Sequence, residues 1–142
     1  MQESVRVVVA AVIERDGLIL AARRVGPPQL AGRWEFPGGK VEPGESEAAA
    51  LIRECGEELG VRIAVGDRIG PQYEAAGASM VVRTYFAAIE AGEPRVAGSH
   101  DALRWVRPES AEARALAWLD GDLLILDALK ERAAAGDVSQ VA

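Results

Sequence analysis

Apolar residues recur at helical spacing in one central stretch of the chain, between two groups of residues that typically end helices. Pro43-Gly44 favours a turn, Ser46 is a typical helix N-cap, and Gly60 is typical of a left-handed C-cap. The pattern therefore predicts a helix between Ser46 and Gly60. Its predicted buried stripe consists of Ala48, Leu51, Ile52, Cys55 and Leu59.

Runs rich in valine and isoleucine predict a β-sheet around this helix. The predicted strands are residues 5–14, 18–22, 61–65, 69–73, 79–90 and 103–106. Turns are predicted at Arg15-Asp16-Gly17 and at Gly66-Asp67. A helical turn is predicted over residues 108–115, beginning at its proline. A second clear helix is predicted over residues 120–135, with a buried side formed by Leu123, Leu126, Leu129 and Ala133.

These elements predict an α/β protein, with a mixed sheet that carries one principal helix on each face. The chain shows no internal repeat and no linker, so we expect one domain over residues 1–142. Residues 136–142 are expected to form a flexible tail.

Composition limits the partners that such a domain can have. With 142 residues and 49% hydrophobic content, the chain can bury a sizeable core. Its net charge of -6 argues against a protein that binds the phosphate backbone of a nucleic acid. An anionic substrate would therefore need metal ions and locally placed arginines.

The single cysteine and the N-terminal segment bear on the compartment. Cys55 cannot form an internal disulfide, and its place in the apolar stripe predicts a small core residue. The segment from Val5 to Ile13 is too short for a signal peptide and contains Arg6, and no later segment approaches membrane-spanning length. We expect a cytoplasmic protein.

Three glutamates of the predicted helix suggest chemistry. Glu54, Glu57 and Glu58 stand at i, i+3 and i+4, and we expect them to cluster on the side opposite the apolar stripe. Clustered carboxylates repel one another unless a cation lies among them. The preceding loop, Phe36-Pro37-Gly38-Gly39, brings bare backbone near the helix start, where carbonyl oxygens can join the shell of a hard metal ion. The alternative is an ordinary solvated helix face.

The spacing of these residues resembles a known motif. Five residues separate Gly39 from Glu45, and seven more separate Glu45 from the run Arg53-Glu54-Cys55-Gly56-Glu57-Glu58-Leu59-Gly60-Val61. This spacing is similar to the Nudix box, and all seven fixed residues match. The resemblance implies an α/β/α sandwich. It also implies an enzyme that uses Mg²⁺ or Mn²⁺ to hydrolyse a nucleoside diphosphate linked to another group.

The resemblance also implies roles for individual residues. Arg53 would pair with a box carboxylate and orient it, Glu45 would support the loop, and Glu54 would be either a metal ligand or the base that activates water. The implied metal ligands are the Gly38 carbonyl, Glu54, Glu57 and Glu58.

Outside the box, the chain is similar to MutT-type enzymes, and especially to CTP and dCTP pyrophosphohydrolases. The similar segments are residues 30–41, 100–106 and 118–129. The substrate-binding residues that this resemblance implies are Arg23, Arg24, Glu35, Phe36, Lys40 and Asp122. Asp122 would recognise the base, because a carboxylate can accept a hydrogen bond from the exocyclic amine of cytosine. The alternative is that Asp122 is a helix N-cap or a first-turn acid.

The chain departs from the MutT-type pattern at Ser99. Many of these enzymes carry an Asp or Glu there that helps to bind metal, just before the histidine that corresponds to His100. A shift of one residue along an extended segment reverses the side chain, so Asp101 is not an equivalent replacement. We expect His100 to be a hydrogen-bonded structural residue and not a ligand.

Together these observations predict a metal-dependent pyrophosphohydrolase of (deoxy)nucleoside triphosphates, with CTP, dCTP or 5-methyl-dCTP as substrate. An enzyme that clears 8-oxo-dGTP is the first alternative. A nucleotide-sensing module without turnover is an alternative from another class, and a nucleic-acid-binding adaptor fits the acidic composition poorly. The expected partner is a small nucleotide, with no nucleic acid and no membrane, and the chain is expected to be a monomer or a homodimer.

Overall fold

The structure is a computed structural model that describes residues 5–77 and 79–136. Within these residues the chain forms eight strands and three helices. The strands are β1 (Arg6–Arg15), β2 (Leu18–Arg24), β3 (Trp34–Glu35), β4 (Gly38–Lys40), β5 (Arg62–Arg68), β6 (Tyr73–Ala75), β7 (Met80–Ala91) and β8 (His100–Val106). The helices are α1 (Glu47–Leu59), α2 (Ala111–Ala115) and α3 (Asp120–Ala134). Apart from Gly136, the tail predicted at 136–142 lies outside the described residues.

Strand β1 is the centre of a mixed sheet. It pairs in parallel with β7 from Arg6 to Ile13, and it pairs antiparallel with β4 and, at its end, with β2. The main path of the sheet runs β3-β2-β1-β7-β5, while β4, β6 and β8 add to β1, β7 and β2. The predicted mixed sheet is confirmed.

The alternation of side chains along β1 supplies two separate cores. Val9, Ala11 and Ile13 point to one face, where they pack with the buried residues of α1. Ala10 and Val12 point to the other face, where they pack with the buried residues of α3. Each fully buried aliphatic side chain contributes about 1.5–3 kcal/mol, so both faces of β1 stabilise the fold. The predicted sandwich, with a principal helix on each face, is confirmed.

Helix α1 has the caps that the sequence predicts. The Ser46 hydroxyl accepts a hydrogen bond of 3.0 Å from the Ala49 amide, and Gly60 takes the left-handed conformation with φ 73°. Its buried residues are Ala50, Leu51, Cys55 and Leu59. The prediction that Ala48 is buried is wrong. The side of α1 that faces the sheet contains Ala50, and Ala48 is exposed to solvent.

Two predictions between the first and second helix are wrong. Gly66-Asp67 does not form a turn, because β5 runs through both residues with a bulge between Val65 and Arg68. The strand predicted over residues 69–73 is absent, and β6 begins only at Tyr73. An extra residue in a bulge lets a strand continue through a glycine that local propensity assigns to a turn.

Other boundaries differ for local reasons. Strands β3 and β4 are not predicted, because they are short and their segment contains Pro37 and three glycines between residues 32 and 39. Helix α2 begins after Ser110 and not at Pro108, because the Ser110 hydroxyl accepts from the Ala113 amide. The buried residues of α3 include Ile125 in addition to the predicted Leu126 and Leu129, whereas Leu123 and Ala133 are only partly buried.

No helix in the described residues is both long and apolar enough to span a membrane.

A pair of glycine substitutions tests the C-terminus of α1. Gly60→Ala should lower the free energy of unfolding by about 1 kcal/mol, because a side chain disfavours positive φ. Gly56→Ala should raise it by roughly 0.8 kcal/mol, because alanine is the better helix former and its Cβ would meet only ordinary contacts. Urea unfolding measures both changes, and an unchanged midpoint for Gly60→Ala would contradict the left-handed cap.

Candidate active site

Two of the three predicted carboxylates lie on the sheet-facing side of α1. Glu54 and Glu58 follow Ala50 by four and eight residues, so all three share one side of the helix. The Glu54 side chain is 16% exposed, whereas that of Glu57 is 60% exposed. The prediction that all three acids lie opposite the buried stripe is therefore wrong for Glu54 and Glu58.

Two glycines of β4 make room for these carboxylates. The Gly38 amide donates a hydrogen bond of 3.2 Å to Oε1 of Glu58. The Glu54 carboxylate lies 2.3 Å from the place that a Cβ on Gly39 would occupy, and a Cβ on Gly38 would lie 1.9 Å from the Val9 carbonyl oxygen. Neither position accepts a side chain, because β4 is pressed between β1 and α1.

Arg53 joins the acids of α1 to the loop before the helix. Its Nε and Nη2 donate to the two carboxylate oxygens of Glu45, at 2.7 and 3.0 Å. Its Nη1 donates to Glu54 and Glu57, each at 3.2 Å, and Nη2 also donates to the Lys40 carbonyl at 3.1 Å. These hydrogen bonds from Arg53 lower the pKa of Glu45 to about 2. Such pairing agrees with the orienting role predicted for Arg53.

Glu58 lies among other acids at the end of this cluster. Burial, together with the charges of Glu35 and Glu54, raises its pKa to about 7, and His100 and Ser99 oppose that shift. Its Oε2 accepts a hydrogen bond of 3.2 Å from Ser99, the residue that stands where a further acid is usual. Burial also raises the pKa of Glu54, and Arg53 opposes that shift. A bound cation would stabilise the anionic form of both groups.

The oxygen atoms near β4 are of the chemical type that binds a hard divalent cation. Carboxylate and backbone carbonyl oxygens are the ligands that Mg²⁺ and Mn²⁺ prefer, and the glycine backbone leaves space beside Glu54 and Glu58. In the part of the chain that the structure describes, no three His, Cys, Asp or Glu side chains are arranged as a metal site. Arg53 holds Glu57 and Glu54 in its own hydrogen bonds. The ligand set of Gly38, Glu54, Glu57 and Glu58 therefore stays a prediction.

Glu35 links the acids of α1 to the other end of the site. Its Oε1 accepts a hydrogen bond of 2.9 Å from Arg24, and its Oε2 lies 2.8 Å from Nε2 of His100. His100 is 3% exposed, and it makes the predicted hydrogen bond, whereas its role as a structural residue stays a prediction. Two predicted substrate-binding residues, Arg24 and Glu35, thus pair with each other.

Asp122 lies buried at the start of α3 and is only 2% exposed. Its Oδ1 accepts a hydrogen bond of 2.8 Å from the Tyr73 hydroxyl, and its Oδ2 lies 3.4 Å from the Phe36 amide. Burial raises the pKa of Asp122 to about 7, against the hydrogen bond from Tyr73. The N-cap of α3 is Leu119, so Asp122 does not cap the helix, but it is an acid of the first turn, as the other part of that alternative predicted. The Phe36 ring packs against Trp118 with centroids 4.8 Å apart.

Four acids therefore form a continuous group, which we call the carboxylate row: Glu54, Glu58, Glu35 and Asp122. Glu58 interacts electrostatically with Glu54 and Glu35, and Glu35 with Asp122. The row extends from the box helix to the start of α3, and Phe36 and Arg24 lie beside it.

Two predicted substrate-binding residues are less closely tied to this row. Arg23 forms an ion pair with Asp101 at 2.8 Å, and the Lys40 side chain is exposed at the end of β4. Sequence analysis also missed Tyr73, which lies in a segment whose strand is wrongly placed. Because 49 residues separate Tyr73 from Asp122, no local pattern could show their contact.

Comparison with known proteins places these features in a family. The family profile described as the NUDIX domain matches residues 4–126. The chain is 48% identical over 120 residues to "Putative 8-oxo-dGTP diphosphatase 2" of Mycobacterium tuberculosis H37Rv, covering 82% of each chain. It is 45% identical over 118 residues to the CTP pyrophosphohydrolase of Escherichia coli K12, covering 82% of this chain and 87% of that one. The solution structure of the E. coli ORF135 protein superposes with a TM-score of 0.77 at 38% identity, covering 96% of both chains.

The ion pair between Glu45 and Arg53 predicts a pH-dependent stability. Because the folded pKa of Glu45 is about 2, below the ordinary 4.5, its contribution is complete above pH 4.5 and is lost as the pH falls towards 2. Glu45→Gln should therefore be less stable than the unmodified protein at pH 7, and this gap should narrow between pH 4.5 and pH 3.

Urea midpoints measured at a series of pH values test this prediction. Glu109→Gln is the matched control, because Glu109 is exposed in the turn before α2. The difference in urea midpoint between Glu109→Gln and the unmodified protein should be small and should change little with pH. A gap for Glu45→Gln that stays constant down to pH 3 would show that Arg53 does not stabilise the Glu45 carboxylate.

Proposed function

Because the chain belongs to the Nudix family and is a pyrophosphohydrolase that acts on nucleotides, we propose that its substrate is a cytidine nucleoside triphosphate. The candidates are CTP, dCTP and 5-methyl-dCTP. Residues 1–142 would form one catalytic domain, acting in the cytoplasm as a monomer or homodimer. One water is consumed, the phosphoanhydride bond between the α and β phosphates breaks, and the products are the monophosphate and pyrophosphate.

The carboxylate row carries this proposal. At one end, Glu54 and Glu58 converge on the glycine backbone of β4, as expected where the charge of a polyphosphate is handled through a cation. At the other end, Asp122 and Tyr73 form a hydrogen-bonded pair beside Phe36. A nucleotide with its phosphates at α1 and its base at α3 would match both ends.

Members of this family generally use divalent metal ions. The residues that would hold the metal are the Gly38 carbonyl, Glu54, Glu57 and Glu58. When bound, Mg²⁺ or Mn²⁺ would neutralise charge on the phosphates and lower the pKa of a coordinated water. Glu54 is also suited to accept the proton of the attacking water, because burial raises its pKa.

The remaining residues would position these groups. Arg53 restrains Glu57 and Glu54 through one guanidinium group, and it ties them to the loop through Glu45. Arg24, held by Glu35, would place a positive charge near the phosphates. Arg23 and Lys40 would reach the nucleotide from the rim of the site.

Asp122 would set the preference for the base. A carboxylate in this position favours bases that present an amine, and cytosine presents its 4-amino group. The 45% identity to a CTP pyrophosphohydrolase supports the same choice.

Hydrolysis of 8-oxo-dGTP is the second candidate. It is supported by the 48% identity to a relative whose name carries that activity. An oxidised guanine also presents N–H groups to an acceptor, so one position in the base pocket can separate the two substrates.

Removal of the Glu57 charge tests the catalytic assignment. Glu57→Gln should lower kcat roughly a hundredfold or more, because an amide is a weaker ligand for a hard cation than a carboxylate. Its fold should stay intact, because Glu57 is largely exposed. The assay measures the hydrolysis products released in the presence of Mg²⁺, which are monophosphate and pyrophosphate for a triphosphate. The substrates tested are CTP, dCTP, 5-methyl-dCTP, dGTP, 8-oxo-dGTP and ADP-ribose, and Glu109→Gln is the control variant.

Each outcome of this panel is informative. Selective release of CMP or dCMP would support the cytidine assignment, and preference for 8-oxo-dGTP would replace it with the second candidate. Binding without turnover over the whole panel would favour a nucleotide sensor. Near-normal activity of Glu57→Gln would remove this glutamate from the mechanism.

Asp122→Asn tests base preference. The ratio of kcat/KM for CTP to that for UTP should fall about tenfold, because an amide presents both a donor and an acceptor where the carboxylate only accepts. Activity summed over both nucleotides should persist, since Asp122 is remote from the α1 carboxylates in the row. An unchanged ratio would remove Asp122 from base preference.

A further inference from the structure

The burial of Asp122 limits how it can act on a base. Only 2% of the residue is exposed, and both carboxylate oxygens already face protein donors. Tyr73, which donates to Oδ1, is only partly buried. Of these two side chains, Tyr73 is therefore the more accessible to a ligand.

The position of Tyr73 is fixed by steric contact as well as by its hydrogen bond. A Cβ on Gly121 would lie 1.9 Å from Cε2 of the Tyr73 ring and 2.4 Å from Cζ. The ring therefore lies directly on the backbone of the first turn of α3, one residue before Asp122. This contact places the hydroxyl 2.8 Å from the Asp122 carboxylate.

We propose that Tyr73 is the residue that contacts the base, and that Asp122 determines preference by fixing the direction of the Tyr73 hydroxyl proton. This inference rests on the proposed function, since it assumes that the base lies at the α3 end of the site. The class of ligand that it favours is a base with an exocyclic amine.

The selectivity follows from counting protons. A tyrosine hydroxyl has one proton and two lone pairs, so a hydroxyl that donates to Asp122 can only accept from any other group. Burial and the Asp122 charge raise the pKa of Tyr73, so the hydroxyl keeps its proton. The 4-amino group of cytosine can donate to this oxygen. The O4 carbonyl of uracil would instead face its lone pairs and is disfavoured.

A double-mutant cycle with a binding readout tests this proposal. The probes are α,β-methylene-CTP and α,β-methylene-UTP, whose carbon bridge resists hydrolysis, and calorimetry with Mg²⁺ gives the ratio of their dissociation constants. The variants are Tyr73→Phe, Asp122→Asn and the double variant. Tyr85→Phe is the matched control, because Tyr85 also donates to a carboxylate, that of Glu47, but lies on β7 and not on β6. Thermal unfolding of each variant reports whether the fold is kept.

We expect Tyr73→Phe to lower the preference for the cytidine analogue roughly tenfold, since it removes the acceptor but keeps the ring on Gly121. Asp122→Asn should also lower the preference, because an amide can donate to the tyrosine oxygen and release its proton towards the base. In the Tyr73→Phe background, Asp122→Asn should have no further effect. Tyr85→Phe should leave the ratio unchanged.

Three results would overturn the inference, and they differ in what they say of the proposed function. If Asp122→Asn shifts the ratio equally in both backgrounds, Asp122 contacts the base itself and its proposed role stands. If neither variant shifts the ratio while the unmodified protein binds both analogues, the base lies elsewhere. If the unmodified protein binds neither analogue and does not hydrolyse CTP, the proposed function fails together with the inference.

Discussion

The placement of two carboxylates on the buried side of α1 is the constraint on which the rest of the site depends. Removal of a charged group from water costs several kcal/mol unless nearby groups compensate. Here the compensation comes from the Gly38 amide, the Ser99 hydroxyl and Arg53. Hydrogen bonds to charged groups contribute about 1.5–3 kcal/mol each, so these contacts offset a substantial part of that cost. The close approach of β4 that supplies the amide is possible only because residues 38 and 39 lack side chains.

These hydrogen bonds offset only part of the cost of burying the carboxylates, and the pKa shifts show which carboxylate is least compensated. Arg53 neutralises the outer end of the acidic cluster, where Glu45 and Glu57 lie. Further in, Glu58 faces Glu54 and Glu35, and its pKa is raised by burial and by their charges. A divalent cation bound there would supply the missing positive charge. Repulsion among these carboxylates destabilises the free protein, and it would therefore favour the binding of a divalent cation.

The end of the site where we propose that the base binds has a different arrangement. Asp122 is covered, and its charge is met by the hydroxyl of Tyr73 rather than by a basic side chain. If the base binds here as proposed, the direction of a single hydroxyl proton determines what the Tyr73 oxygen can offer to it. Glu35 lies between the two ends, where Arg24 and His100 hold both of its carboxylate oxygens.

The sequence by itself determined the elements with strong local signals. Ser46 and Gly60 marked the ends of α1, the run rich in valine and isoleucine predicted the strand β1, and the box spacing identified the acids and Arg53. Local patterns failed where a long-range contact overrides local propensity. The bulge in β5 carries a strand through Gly66, and pairing with β1 makes a strand of the glycines in β4.

Only the tertiary structure decided which carboxylates are buried and what each of them contacts. Periodicity shows that Glu54, Glu57 and Glu58 are close in space, but the sheet determines which side of α1 is covered. Likewise, Tyr73 and Asp122 are 49 residues apart, and they meet because β6 and the start of α3 pack together at Gly121. Burial and hydrogen-bond partners are properties of the packed chain, and they set the charge and direction of each group. The sequence therefore determined the class of chemistry, and the fold decided which carboxylates are buried and which groups each of them contacts.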